Sequence, residues 1–309
     1  MKIAVLGPGA MGCLFAVYLA EAGHEVRVLD HRPERAELLN KQGLFVEGVL
    51  GEHHQQVPVS IAPEDIADAQ LVLVCVKSYH TREAITVIAP TLSDQARVLT
   101  LQNGVGNIEI LAEVIGLDRV FGGVTSQGAT VLAPGRVRHA GCGQTIIGAA
   151  LVRGQEEALS RVSEALSQSS LETRIDNRVD SLIWSKLMIN VGINALTALT
   201  RLKNGQLLDY PGTVSLMEKA VAEAVHVAET LGIPLIHEDP VAQVKCVAKA
   251  TAGNVSSMLQ DILAGRRTEI EGINGAIVKR GRCVGLATPV NETLTALVKT
   301  VEASYGAGL

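Results

Sequence analysis

Short apolar runs separated by polar turns alternate with stretches of helical period through the first half of the chain. Ile3–Leu6, Glu25–Leu29, Leu71–Val76 and Arg97–Leu101 read as strands, being short apolar runs bounded by turn or polar residues. Between the first two, Met11–Ala22 suits a helix ended by Gly23. Arg82–Leu92 also reads as helical, with Pro90 marking its last turn. Alternation of this kind implies crossover connections and a parallel sheet covered on both faces. After residue 118 the pattern changes: 119–124, 128–132, 136–139 and 144–147 look like strands in succession, separated by Gly and Pro. From about residue 154 the period is helical throughout, over Glu156–Ser167, Ser181–Leu199, Thr213–Leu231, Pro240–Ala252 and Asn291–Ser304. The change of character falls near 170–178 (SLETRIDNR), so an α/β domain over 1–172 followed by an all-helical domain over 173–309 is expected.

Composition narrows the function. Hydrophobic residues make up 47% of 309 and charged residues 19%, enough apolar material for a sizeable core. Aromatics at 3% and a net charge of −5 carry no nucleic-acid footprint. Five scattered cysteines with no CxxC pair argue against a disulfide framework or a zinc site, so no metal is expected and a reducing cytoplasm fits. Residues 3–20 carry no charge, yet Gly7, Pro8, Gly9 and Gly12 break them, which disfavours a signal peptide or membrane span.

Those breaks form Gly7-Pro8-Gly9-Ala10-Met11-Gly12, directly after a strand and at the mouth of a helix. In a dinucleotide site the first Gly permits the tight turn, the second lets the pyrophosphate approach, and the third allows close helix packing. The helix N-terminus adds free N–H groups and partial positive charge. Asp30, ending the second strand, is placed to accept from the 2′-hydroxyl of NAD, whereas Arg32 and Arg35 suit the 2′-phosphate of NADP. Equally, Asp30-His31-Arg32-Pro33 could cap and start the next helix. Lys77 and Asn103 follow the other two strands, where ligands collect in open α/β sheets; a solvated cation and an ordinary Asn-Gly turn are the plainer alternatives.

In the second half, Lys186, Asn190 and Asn194 stand at i, i+4 and i+8 among Leu187, Ile189, Val191 and Ile193. They share one face of a helix, and buried polar groups need partners, so a polar seam is expected; structural glue between helices is the alternative. Asn254, Ser257 and Glu269 add polar groups among apolar neighbours.

With GPGAMG, VCVKSYH, LQNGVG, WSKLMINVGINALTAL, NGQLL, NVSSMLQD and TEIEGINGAIV in this order, the chain resembles the ketopantoate reductase family over nearly its whole length. The resemblance implies a Rossmann-type NADPH-binding domain joined to a helical substrate-binding domain. It implies reduction of 2-dehydropantoate to pantoate, toward pantothenate and coenzyme A. It also implies Lys186 as general acid and Glu269 as the carboxylate holding the substrate hydroxyl beside the cofactor. Asn190, Asn194, Asn204, Asn254 and Ser257 would touch substrate, and Lys77 and Asn103 would line the nicotinamide side. The chain departs from the family at His80, where some members carry Gln, and at Asp30-His31-Arg32, which replaces a more basic strand end. The resemblance favours NADP, and these departures leave NAD open. A ketone taking a hydride develops alkoxide charge, which a buried ammonium such as Lys186 can stabilise and protonate. The expected partner is a small 2-oxo acid, with no nucleic acid or membrane and a homodimer left open. Two rival readings are a related β-hydroxyacid dehydrogenase acting on another acid and a non-enzymatic nucleotide sensor.

Overall fold

The computed structural model describes residues 1–150 and 154–306. Packing divides the chain into two units, the first comprising 1–102 and 107–179, the second 103–106 and 180–309.

The first unit holds twelve strands among its described residues. In chain order they are β1 (Lys2–Leu6), β2 (Glu25–Leu29), β3 (Leu44–Gly48), β4 (His53–Gln55), β5 (Val59–Ser60), β6 (Leu71–Val74), β7 (Arg97–Thr100), β8 (Val120–Thr125), β9 (Gly128–Ala133), β10 (Arg136–Gly141), β11 (Thr145–Ala149) and β12 (Thr173–Ile175). Its helices are α1 (Ala10–Glu21), α2 (Pro33–Gln42), α3 (Thr81–Ile88), α4 (Asn107–Ile115) and α5 (Glu156–Gln168). Eight strands form one sheet in the order β12-β11-β8-β7-β6-β1-β2-β5. Strands β1, β6, β7 and β8 are buried along most of their length, as expected where helices cover both faces. From β1 the chain proceeds to β2 on one side and later to β6 on the other, so the carboxyl ends of these strands lie at a topological switch point.

The sheet is mixed rather than parallel throughout. Strand β11 runs antiparallel to β8, because the chain returns from β8 through strands and not through a helical crossover. Strand β12 pairs parallel with β11, so the first sheet runs past 172/173, where the helical half is expected to begin. A second sheet, β4-β3-β10-β9, packs on α1. It is tied there by a buried chain: the Tyr18 hydroxyl bonds His139 Nδ1 at 2.9 Å, and His139 Nε2 bonds the Gln127 side-chain oxygen at 2.7 Å. The uncharged stretch 3–20 is thus β1, the glycine turn and α1, with most side chains buried.

The second unit is helical, comprising α6 (Val179–Thr200, apart from its first residue), α7 (Pro211–Thr230), α8 (Pro240–Ala250), α9 (Ser257–Leu263), α10 (Asn274–Cys283) and α11 (Pro289–Ala303). Its core joins Leu187, Val191 and Leu196 of α6 to Met217, Val221 and Ala224 of α7, Val244 of α8, Ile277 of α10 and Val298 of α11. Helix α6 is long and apolar enough to cross a membrane, but 72% of its apolar window is buried inside the protein, the pattern of a core helix. At Gly192 a Cβ would come within 2.7 Å of Val244 and 2.9 Å of Val221, so the missing side chain is what lets α7 and α8 approach α6.

Candidate active site

In the first unit, Gly7 leaves β1 at φ +93, a left-handed conformation that side chains resist, while its N–H donates to the Leu29 carbonyl at 2.9 Å. A Cβ on Gly12 would lie 2.0 Å from the Gly7 oxygen and 3.3 Å from Cys75 Cβ, so α1 can start this close to the turn only with glycine there. Gly9 is different. A Cβ there would meet nothing nearer than Cys75 O at 3.9 Å, which leaves the backbone of the turn approachable. Helix α1 has no side-chain cap and no acid in its first turn, so its leading N–H groups and dipole face outward uncompensated. Pro8, Ala10 and Met11 complete the turn. A turn of this geometry could receive a diphosphate.

At the end of β2 the carboxylate of Asp30 is wholly buried. It accepts from Arg35 Nε and Nη2, both at 2.5 Å, and from the His31 N–H at 2.7 Å and the Arg32 N–H at 3.3 Å. Burial alone would raise this carboxyl, but the Arg35 guanidinium and the two N–H groups outweigh it and hold the group below its ordinary value. Arg35, offered above to a 2′-phosphate, is paired with Asp30, whose carboxylate also bonds the two residues that precede Pro33, the first residue of α2. Arg32 and His31 are exposed, and no carboxylate pairs with Arg32 among the described residues. The His80 ring lies 6.2 Å from that of His31, with Nδ1 3.3 Å from Glu83.

Lys77 follows β6 and precedes the turn into α3. The strand end before it is fixed by a residue the sequence reading passed over. Gln102 donates to the Val76 carbonyl at 2.7 Å and to Thr81 Oγ1 at 2.9 Å, and Thr81 donates to Asn107 at 3.2 Å. Its position beside Asn103, at the carboxyl end of β7, was the available signal.

In the second unit, Asn103–Gly106 docks on the turn after Glu269, the Val105 N–H donating to the Gly272 carbonyl at 3.3 Å. A Cβ on Gly104 would meet that same carbonyl oxygen at 2.2 Å. Lys186 and Glu269 are each partly buried and close enough to interact electrostatically. Burial pushes the Lys186 ammonium down to about 8, and Glu269 pulls part of the way back. One and two turns along α6, Asn190 has a buried Nδ2 with no hydrogen-bond partner among the described residues, and Asn194 is 5% exposed. A buried donor left without an acceptor costs stability, so it marks a place where a ligand oxygen would be held.

Asn204 donates from Nδ2 to Thr251 Oγ1 at 2.9 Å and from its N–H to the Asn254 carbonyl at 3.1 Å, so it braces the loop that carries Asn254. Its Oδ1 is buried without a hydrogen-bond partner among the described residues. Asn254 and Ser257 are exposed. Ser256 caps α9, and its hydroxyl meets Thr197 Oγ1 of α6 at 2.7 Å, joining the Ser257 end of α9 to the polar seam. No cluster of three or more metal-binding side chains occurs among the described residues.

Comparison with known proteins adds independent information. The profile described as Ketopantoate reductase PanE/ApbA matches residues 3–151, and the one for its C-terminal part matches 178–302. The 2-dehydropantoate 2-reductase of Halobacterium salinarum is 41% identical over 98% of this chain and 99% of its own. That of Pyrococcus horikoshii is 35% identical over 100% and 99%. Among solved structures, a PanE/ApbA family ketopantoate reductase from Ralstonia eutropha superposes with a TM-score of 0.91 at 32% identity, covering 98% and 99% of the two chains. A D-mandelate dehydrogenase solved with NADH and anilino(oxo)acetate gives 0.91 at 27% identity, covering 99% and 100%.

Proposed function

Because the chain belongs to the ketopantoate reductase family, we propose that it reduces 2-dehydropantoate to pantoate, with Lys186 as the proton donor and NADPH as the favoured cofactor. The observation that carries the reading is the α6 seam, a lysine lowered by burial beside Glu269 and a buried Asn190 Nδ2 with no hydrogen-bond partner among the described residues. A nucleotide sensor has no use for it.

The cofactor, when bound, supplies the hydride. The open turn at Gly9 and the N–H groups of α1 fit its diphosphate, and exposed Arg32 and His31 fit a 2′-phosphate. Asp30 does not oppose that phosphate strongly, since its charge is already matched by Arg35. Lys77 and Asn103, each following a strand of the first sheet, would line the nicotinamide side. Asn190 and Asn194, with Asn254 and Ser257, supply neutral donors for the carboxylate of the oxo acid, and Glu269 accepts from its hydroxyl. Lys186 holds a proton at Nζ, stabilises the charge that grows on the carbonyl oxygen, and delivers the proton there.

A second reading rests on the D-mandelate dehydrogenase likeness: a 2-oxo acid reductase of other substrate range that uses NADH. Initial rates with ketopantoate and with phenylglyoxylate, each with NADPH and NADH, separate the two. Preference for ketopantoate and NADPH supports the first.

A further inference from the structure

Glu269 sits on a segment too short to hold itself. It begins a single turn, Ile270–Gly272, closed by Gly272 N–H to the Glu269 carbonyl at 3.0 Å and Ile273 N–H to the Ile270 carbonyl at 3.2 Å. The residues before it, 263–267, are exposed. A carboxylate on one isolated turn would wander by more than a hydrogen bond tolerates.

Both ends of this segment are nevertheless pinned. At the near end Thr268, 2% exposed, gives its N–H and its hydroxyl to Glu302 of α11, at 2.8 and 2.5 Å, while its oxygen accepts from the Ile270 N–H at 3.2 Å. At the far end Asn274, fully buried, donates from Nδ2 to the Val191 carbonyl of α6 at 3.2 Å and to Asn291 Oδ1 of α11 at 2.9 Å. Asn291 is itself fixed to α7, through the Ala220 carbonyl at 2.9 Å and Glu223 at 2.8 Å. The α6 carbonyl that Asn274 reaches belongs to Val191, which follows Asn190 and lies three residues before Asn194. The bond therefore references the Glu269 segment to the polar seam itself. Asn274 Oδ1 is buried with no partner among the described residues.

We propose that Thr268 and Asn274 are positioning residues that clamp the two ends of the Glu269 segment and so fix its carboxylate against the Lys186–Asn190–Asn194 face of α6. This rests on the reading of Glu269 as the group that holds the substrate hydroxyl. The clamp acts through Glu269, so its loss matters only while Glu269 is present.

The test is a double-mutant cycle on the purified full chain, read as KM and kcat for ketopantoate and KM for NADPH. Thr268→Val keeps the shape and removes the hydroxyl; Asn274→Ala removes the amide. Each should raise the ketopantoate KM about tenfold, on the scale of a small misplacement of a binding group, while the NADPH KM stays within about twofold. Thr268→Ser, which retains the hydroxyl, should restore the wild-type KM. Added to Glu269→Gln, either clamp variant should change the ketopantoate KM by less than about twofold, because the group they position is already disabled. If Asn274→Ala does not fold, Thr268→Val and its serine rescue carry the test. The proposal is overturned if the clamp variants leave KM unchanged while Glu269→Gln raises it, or if their effects multiply with that of Glu269→Gln. Should Glu269→Gln itself leave the ketopantoate KM untouched, the reading of Glu269 falls and the clamp with it.

Discussion

The proposed proton donation by Lys186 would tie turnover to pH, with a sign set by the burial of its ammonium. The ammonium, ordinarily titrating at 10.5, is lowered to about 8 by burial, partly offset by Glu269. Reduction needs the charged form, so turnover is full below the folded pKa and is lost as pH rises through it. With a pKa of about 8, roughly nine-tenths of the enzyme carries the proton at pH 7, half at pH 8 and about a tenth at pH 9. Reductive kcat/KM for ketopantoate, which reports the enzyme before substrate binds, should therefore hold level to about pH 7 and then fall, approaching tenfold per unit above pH 8. The assay is initial-rate loss of NADPH absorbance at ketopantoate well below its KM, in buffers of constant ionic strength. Each sample is returned to neutral pH afterwards to show that activity recovers. Lys186→Ala should lower kcat by about 10² or more and abolish the basic limb, leaving the cofactor KM nearly unchanged. A wild-type limb near the ordinary lysine value, or one that persists in Lys186→Ala, would show that another group donates the proton.

Three further outcomes are expected. Arg32→Ala should raise KM for NADPH by tenfold or more, about the strength of one charge-assisted contact, while changing that for NADH less than about twofold; equal effects in a cofactor titration would remove Arg32 from the 2′-phosphate site. Arg35→Ala strands the buried Asp30 carboxylate with two backbone N–H groups and should cost about 3 kcal/mol, read as a lower urea midpoint; an unchanged midpoint would mean that the pair carries no stability. Gly9→Val places its branches above the turn, where the protein leaves room, so circular dichroism should stay native while NADPH fluorescence titration is lost; normal binding by a folded variant would take the turn out of the site.

Much of this was readable in the chain. The glycine turn was legible because each glycine answers a local need: a left-handed φ at 7, an open approach at 9 and a close contact at 12. The α6 seam was legible because three polar residues at helical spacing stand out in an apolar helix. Less accessible was the second sheet, whose parallel pair β3·β10 joins residues about ninety apart: each strand alternates in burial, but nothing local names its partner. The state of Asp30 was hidden for a related reason. Its sequence neighbours Arg32 and Arg35 look interchangeable, and only the start of α2 decides that Arg35 turns back to the carboxylate while Arg32 is left exposed. Asn204 reads as a ligand contact from its motif, and its bond from Nδ2 to Thr251 could not be read there because the partner lies 47 residues away. Thr268 and Asn274 look like ordinary turn and cap residues until Glu302, Asn291 and Val191, remote in sequence, are brought against them.

The most direct test of the whole account is a comparison of kcat/KM for ketopantoate with NADPH against phenylglyoxylate with NADH, with pantoate identified as product by mass spectrometry. The account predicts one pantoate formed per NADPH consumed and a preference for ketopantoate with NADPH of at least about tenfold, the scale of one well-placed polar contact in a buried site. Faster turnover of phenylglyoxylate with NADH, or NADPH consumption without pantoate, would contradict it.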